Sequence, residues 1–259
     1  MDILDQIIQT KRSEVAATDY KEIRRRALDA ERRTVSMRQS LRQTPGGVIA
    51  EYKRHSPSKG WINREAEAAV VVEGYRRAGA AACSVLTDER YFKGSLDYLR
   101  AARAVAGSMP LLRKEFIIIP EQVYEAREAG ADAVLLIAAC LEQAQCEELA
   151  AAAHEVDLEV LLEVHDEAEL TYLNPHIDML GVNNRHLGTF HTDVATSYRI
   201  AKEVQRRGLD VTLVSESGID GAATIRALQQ QGFEGFLIGE TLMRGADPAA
   251  SLAQLLGAL

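Results

Sequence analysis

No run in the 259-residue chain reaches the roughly 18 consecutive apolar residues of a membrane span, which excludes a transmembrane helix. The opening stretch, MDILDQIIQTKRSEV, mixes acids and bases into its apolar residues and so lacks the basic start and unbroken apolar core of a secretory signal. Cysteine is scarce. Cys83, Cys140 and Cys146 are odd in number and have no Cys-x-x-Cys spacing, the pattern of inert thiols in a reducing compartment, so a cytoplasmic protein is expected. With six prolines and no low-complexity tract, the chain has no room for a long disordered region. Basic residues are outnumbered, 30 Lys and Arg against 38 Asp and Glu, and a net charge of −8 excludes broad attraction to nucleic acid or an anionic membrane. A small anionic ligand stays open, because local charges decide that. No His, Cys or Asp cluster has metal-ligand spacing, and no Gly-rich Walker loop occurs.

What is present is a repeat. Short apolar, β-branched runs begin at Gly47, Ala81, Pro110, Ala133, Leu158, Met179, Val211 and Gly235, with starts from 21 (158 to 179) to 34 (47 to 81) residues apart. Between them lie segments of helical spacing, such as EAAVVVEGYRRAG, PEQVYEAREAG, LEQAQCEELAAAAHEV and GAATIRALQQQG, several stopped by Gly. Near-continuous apolar strands alternating with amphipathic helices imply a parallel sheet buried on both faces. Eight such units fit an α/β fold of the (β/α)8 TIM-barrel type better than a doubly wound sheet. Residues 46–259 would form this barrel, and residues 1–45 an N-terminal helical extension over its mouth, within a single domain overall. In that extension Asp2 is placed to cap a helix with an apolar stripe of Ile3, Leu4, Ile7 and Ile8. A second helical segment from Tyr20 would carry Arg24, Arg25, Arg26, Arg32 and Arg33, either as a solvated face or as a cationic approach path.

Active sites in such barrels form at the C-terminal ends of the strands, and here most of those ends carry an ionisable or amide side chain. The first run holds Glu51 and Lys53, the third ends in Lys114, the fifth holds Glu163, the sixth Asn183 and the seventh Glu216. In IAEYKRHSPSKG, Lys53 would reach an anionic ligand group and Glu51 would hold the lysine, while Ser56 to Gly60 form a mobile rim. The last two runs add a phosphate signal. Ser217 and Gly218 precede one helix-like segment, and Gly239 and Glu240 precede another, so unpaired first-turn N–H groups would face an anion. A side chain at Gly239 is expected to obstruct that approach, and the Glu240 carboxylate to point away from it.

The motifs IAEYKRHSPSKG, SVLTDERYFKGS, PLLRKEFI, LLEVHDEAEL, GVNNRHL, VSESGI and FLIGETLMR, in this order, closely resemble the indole-3-glycerol phosphate synthase family of tryptophan biosynthesis, over about residues 1 to 255. Related phosphate-binding barrels share the last two motifs but not the set Lys53, Lys114 and Glu163. The resemblance implies a carboxy-lyase that closes the ring of 1-(2-carboxyphenylamino)-1-deoxyribulose 5-phosphate with loss of CO2 and water, without metal or organic cofactor. It also implies Lys114 as general acid, Lys53 on the substrate carboxylate and Glu163 in the proton transfers of dehydration. Glu51 and Asn183 would align these groups and Glu216 support their network. Ser56, Ser217, Gly218, Gly239 and Glu240 would bind substrate and its phosphate, and Phe92 with Leu135 would wall the aryl ring. His55 would be a rim residue, Trp61 would pack the lid, and His165 would support Glu163.

The partner is then a small phosphorylated substrate, and the chain is expected to be a monomer with at most weak association with other enzymes of the pathway. Two other readings remain open at this point. One is a barrel resembling phosphoribosylanthranilate isomerase, which would use a Cys or Asp acid/base pair at strand ends. The other is a phosphate-binding barrel without catalysis.

Overall fold

The computed structural model describes residues 3–185 and 191–259. Eight parallel strands close into a barrel: β1 (Val48–Tyr52), β2 (Ala82–Leu86), β3 (Leu111–Lys114), β4 (Ala133–Ile137), β5 (Glu159–Val164), β6 (Met179–Asn183), β7 (Thr212–Glu216) and β8 (Phe233–Ile238). Each pairs with the next, and β8 returns to β1 with Ile238 opposite Ala50. All eight sequence runs are therefore strands, because aliphatic and β-branched residues suit a sheet buried on both faces.

The two faces are separated by the two-residue period of a strand. On β4, Ala133, Leu135 and Ile137 belong to the cluster that fills the barrel, whereas Val134 and Leu136 belong to the layer shared with the helices. Ile49, Leu112, Leu161, Met179, Val214 and Leu237 mark the same inner face on other strands. Counting in twos from these residues directs Glu51, Lys53, Lys114, Glu163, Asn183, Glu216 and Gly239 to the axis, at the C-terminal end. Cys83 is directed the other way, into the helix-facing layer.

Helices α1 (Ile3–Ala17), α2 (Ile23–Leu28) and α3 (Met37–Gln43) precede the barrel. Around it run α4 (Ala68–Ala78), α5 (Leu96–Ala106), α6 (Pro120–Glu128), α7 (Gln143–Glu155), α8 (Ala195–Arg207), α9 (Ala222–Gln229), α10 (Glu240–Met243) and α11 (Pro248–Gly257). The fifth crossover has only a 3-10 turn at Ala168–Tyr172. Few residues are available before β6, and Asn174-Pro175 opposes a longer helix.

The extension divides between the two ends of the barrel. Ile3, Leu4 and Ile7 of α1 line the mouth, while Asp2 lies outside the described residues. Helix α3, capped by Ser36 Oγ accepting from the Gln39 N–H at 3.0 Å, sits under the opposite end with Met37 and Leu41 buried against Ile49 and Leu112. Ser36 Oγ and the Arg38 N–H both donate to the Glu159 carboxylate at the start of β5, at 2.5 and 2.8 Å. Helix α2 packs on α6 and ends at Leu28, so Arg32 and Arg33 lie beyond it, not on it as their spacing predicted. The chain leaves the helix there because it must run toward the far end, where Arg32 meets Asp132 at 2.7 Å. Arg24 pairs with Glu155, and Arg25 with Glu22 and Asp29. Arg24 and Arg32 thus answer carboxylates on the barrel's flank and base, and Arg25 those at the two ends of its own helix, which does not fit a cationic approach to the mouth.

Candidate active site

Lys114 Nζ lies at the axis, 2.8 Å from Glu163 Oε2 and 2.9 Å from Glu216 Oε2. The Asn183 side chain donates to Glu163 Oε1 at 3.1 Å, so the carboxylate is held from both sides. Burial opposes every charge in this cluster, and the neighbours decide the outcome. Glu163 and Glu216 hold the Lys114 ammonium well above the usual lysine range despite its burial. Lys114 in turn pulls the buried Glu163 carboxyl well below its usual range. Burial together with the charge of Glu163 outweighs Lys114 at Glu216, whose carboxyl is raised. Two carboxylates around one ammonium are thus driven apart in acidity, the arrangement that separates acid from base roles.

Space for these groups comes from missing side chains. A Cβ on Gly181 would stand 2.3 Å from Glu216 Oε1, and one on Gly239 would stand 2.2 Å from Glu51 Oε1. Glu51, buried, pairs with Lys53 at 2.6 Å. His165 lies behind Glu163, its ring 3.4 Å from Glu163 Oε1 and 3.5 Å from Glu169 Oε2. Burial works against its charge, but the two carboxylates hold the imidazole up at about 10.

After β7, Ser217 and Gly218 have φ of 65° and 72°. A non-glycine residue in that left-handed region is uncommon, and the pair turns the backbone sharply into the cavity wall. Gly239 and Glu240 open α10, where the Leu242 and Met243 N–H groups donate back to the Gly239 carbonyl at 3.0 and 2.9 Å and those of Glu240 and Thr241 are left at the open end of the helix. The Glu240 carboxylate is taken by Arg244 and, at 3.6 Å, by Arg185, whose guanidinium also donates to Ser58 Oγ at 3.2 Å. Neither arginine was singled out from sequence. Arg185 stands two residues after Asn183 and Arg244 four after Glu240, but nothing local says that both turn to one carboxylate.

The other end of the cavity is apolar. Phe92 and Leu135 are joined by Leu86 and by Phe116, whose ring lies 6.1 Å from that of Phe92, and α1 adds Ile3, Leu4 and Ile7. Phe116 follows Glu115 directly at the end of β3, and its aromatic type was the only available signal. One cavity of about 740 Å3 is lined by every site residue singled out from sequence: Glu51, Lys53, Ser56, Phe92, Lys114, Leu135, Glu163, Asn183, Glu216, Ser217, Gly218, Gly239 and Glu240. That volume suits a drug-sized metabolite. In the first loop, His55 Nδ1 is 2.9 Å from the Tyr91 carbonyl. Trp61, expected against the lid, is instead exposed, lying between the guanidiniums of Arg54 and Arg64 at 5.5 and 5.2 Å. Cation–π attraction at the rim holds it there. Cys83 is fully buried away from the cavity, where burial raises its thiol, so it offers nothing to an isomerase-type acid/base pair.

Fold and site define a (β/α)8-barrel enzyme with lysine–carboxylate pairs at the axis of its cavity, between an apolar slot and a glycine-bordered turn. The chain belongs to the indole-3-glycerol phosphate synthase family, whose sequence profile matches residues 4–255. It is similar to the indole-3-glycerol phosphate synthase of Bacteroides thetaiotaomicron, with 47% identity over 267 residues covering 100% of this chain and 99% of that one. Likewise the enzyme of that name from Neisseria meningitidis serogroup B is 46% identical over 262 residues, covering 98% and 99%. Among solved structures, 3-hexulose-6-phosphate synthase superposes with a TM-score of 0.64 at 15% identity, covering 82% of this chain and 99% of that one. A mutant tryptophan synthase alpha-subunit of Pyrococcus furiosus gives 0.64 at 12%, covering 83% and 98%. At such identities these two show the fold alone. Members of the family are carboxy-lyases of tryptophan biosynthesis.

Proposed function

We propose that this chain closes the ring of 1-(2-carboxyphenylamino)-1-deoxyribulose 5-phosphate to indole-3-glycerol phosphate with the residues named above in distinct roles. The observation that carries the reading is the Lys114 ammonium between Glu163 and Glu216, inside a cavity with an apolar slot at one end and a glycine-bordered anion site at the other. Phe92, Leu135 and Phe116 would hold the aryl ring. The backbone of Ser217, Gly218, Gly239 and Glu240 would take the phosphate, with Ser56 at the rim. Lys53, held by Glu51, would pair with the substrate carboxylate.

Ring closure puts negative charge on the ketone oxygen as the carboxylate-bearing aryl carbon attacks. Lys114, kept charged by its two carboxylates, is already in place to stabilise that oxygen and to protonate it as it becomes an alkoxide. Loss of CO2 restores aromaticity. The new hydroxyl then takes up a proton and leaves as water, pushed out by the lone pair of the ring nitrogen, while the methylene carbon beside that nitrogen gives up a proton to complete the indole double bond; Glu163, aligned by Asn183, would accept that proton. Glu216 balances the charge of Lys114 throughout.

The isomerase alternative is not favoured, because Cys83 faces the helices and Lys114 would have no task. A barrel that only binds phosphate has no use for an ammonium locked between two carboxylates. The reading takes a monomer as the catalytic unit, with residues 1–45 as part of it and α1, which supplies Ile3, Leu4 and Ile7 to the cavity, as the cover of its mouth. A cytoplasmic location belongs to the same reading and rests on the biosynthetic role of the relatives. The test is the appearance of indole fluorescence when the carboxyphenylamino deoxyribulose phosphate is added with a chelator present. No product from folded protein would overturn the reading.

A further inference from the structure

Lys11 is a buried lysine on a helix that could dock without it. Its ammonium lies 3.0 Å from Glu115 Oε1, 3.2 Å from Asp88 Oδ2 and 2.7 Å from Glu14 Oε2, and only 6% of the side chain is exposed. Replacing a buried ion pair by apolar packing is often neutral or stabilising, so docking of α1 alone does not require a lysine here.

Two of these three carboxylates, Asp88 and Glu115, hold the aryl slot. Asp88 Oδ1 accepts from the N–H groups of Tyr91 and Phe92 at 2.7 and 3.1 Å. Glu115 Oε1 accepts from the Phe116 N–H at 2.8 Å, and its Oε2 accepts from Thr87 Oγ1 at 2.8 Å. Phe92 and Phe116 are neighbouring rings in the wall of the slot, 6.1 Å apart and tilted by 37°, and Glu115 is the chain neighbour of Lys114. Lys11 lies four residues from Ile7 and eight from Ile3, so one face of α1 presents two cavity-lining residues and the ammonium. Without that ammonium, Asp88 and Glu115 would be two like-charged buried carboxylates with Arg113, 4.0 Å from Glu115 Oε2, as the remaining cation beside them, and their grip on the three N–H groups would change.

We propose that Lys11 is a positioning residue that fixes Phe92 and Phe116 through Asp88 and Glu115, so that seating α1 sets the width of the aryl slot. This rests on the ring-closure reading for the identity of the aryl ligand. It touches no reacting atom.

The test compares ligands and dynamics in the same proteins. Wild-type turnover of the carboxyphenylamino substrate is measured first, and its absence would count against ring closure alone. In Lys11→Met, affinity for indole-3-glycerol phosphate and 1/KM for the substrate should fall about tenfold or more, while affinity for ribulose 5-phosphate, which has no aryl ring, stays within about twofold. Amide hydrogen exchange at Phe92 and Phe116 should quicken about tenfold, with that of the barrel strands unchanged. Should Lys11→Met not fold, Lys11→Met/Glu115→Gln removes one of the two like charges, keeps an amide oxygen that can accept from the Phe116 N–H, and carries the same expectations. Equal loss of both ligands would mark a merely structural role and overturn the proposal. So would unchanged exchange at the two phenylalanine amides, whatever the turnover.

Discussion

Gly239 faces the carboxylate of Glu51 so closely that a Cβ at position 239 would stand 2.2 Å from Oε1. Glu51 is the residue that pairs with Lys53, at 2.6 Å. Glycine is therefore needed here for a carboxylate at the axis as well as for an anion beyond it. Gly239→Ala should displace Glu51 and lower kcat along with affinity, by about tenfold or more in kcat/KM. Steady-state kinetics check this: a raised KM with untouched kcat would restrict the glycine to phosphate binding.

Lys114→Ala should lower kcat by at least about a hundredfold while product binding changes by less than about tenfold, since a general acid contributes mainly in the transition state. Lys114→Arg should not rescue it, because a guanidinium hardly gives up a proton. Single-turnover kinetics beside product titration measure both. A variant keeping a tenth of the wild-type kcat would remove Lys114 from the role.

Glu163→Gln keeps the shape and the Asn183 contact but loses the base and one counter-charge of Lys114. Its kcat should fall strongly with KM nearly constant. If kcat holds, the proton acceptor is elsewhere, and Glu51, which also lines the cavity, is the carboxylate to replace next.

The pH profile follows from Glu216. Burial and the charge of Glu163 raise its carboxyl, so on acidification it takes a proton before an ordinary glutamate would. Lys114 then loses one of its two counter-charges. The acid limb of kcat/KM should lie above the ordinary glutamate value of about 4.3, and Glu216→Gln should abolish or move it. A wild-type limb at the ordinary value would sink this assignment.

His165 gives a second pH signature, in stability. Its pKa is raised on folding to about 10 by Glu163 and Glu169 against the cost of burial. The stabilisation is therefore complete below the unfolded value of about 6.5 and is lost as pH rises through the folded one. The Tm gap between wild type and His165→Asn should be widest near pH 6 and narrow toward pH 10. A gap that ignores pH would mean that the imidazole is uncharged.

Removing residues 1–17 should weaken substrate binding in a barrel that still folds, because α1 supplies Ile3, Leu4 and Ile7 to the cavity. Removing 1–45 should also lower Tm sharply, since Met37 and Leu41 of α3 fill the base of the barrel. Circular dichroism and KM for the two truncations separate these roles. Equal Tm values would show that α3 is dispensable.

The eight strands and the inward residues at their ends were legible because both are local properties. A run such as AVLLI states its own burial on two faces. A two-residue period then states which side chains share the axis with Ile49 or Leu135. Motif order was enough to indicate the family. The destination of each helix in the extension was not legible. An apolar stripe on α1 or α3 says that the helix must be covered, and only the shape and charge of distant surfaces decide by what. The tertiary fold sent α1 to the mouth and α3 to the base, with Asp132 drawing Arg32 out of the helical pattern. The same holds for charges. Lys11 meets Asp88 and Glu115, Glu240 meets Arg185, and Glu51 meets the bare Cα of Gly239, all far apart along the chain. Pairing energies depend on distance in space and on burial, and neither exists until the barrel has closed.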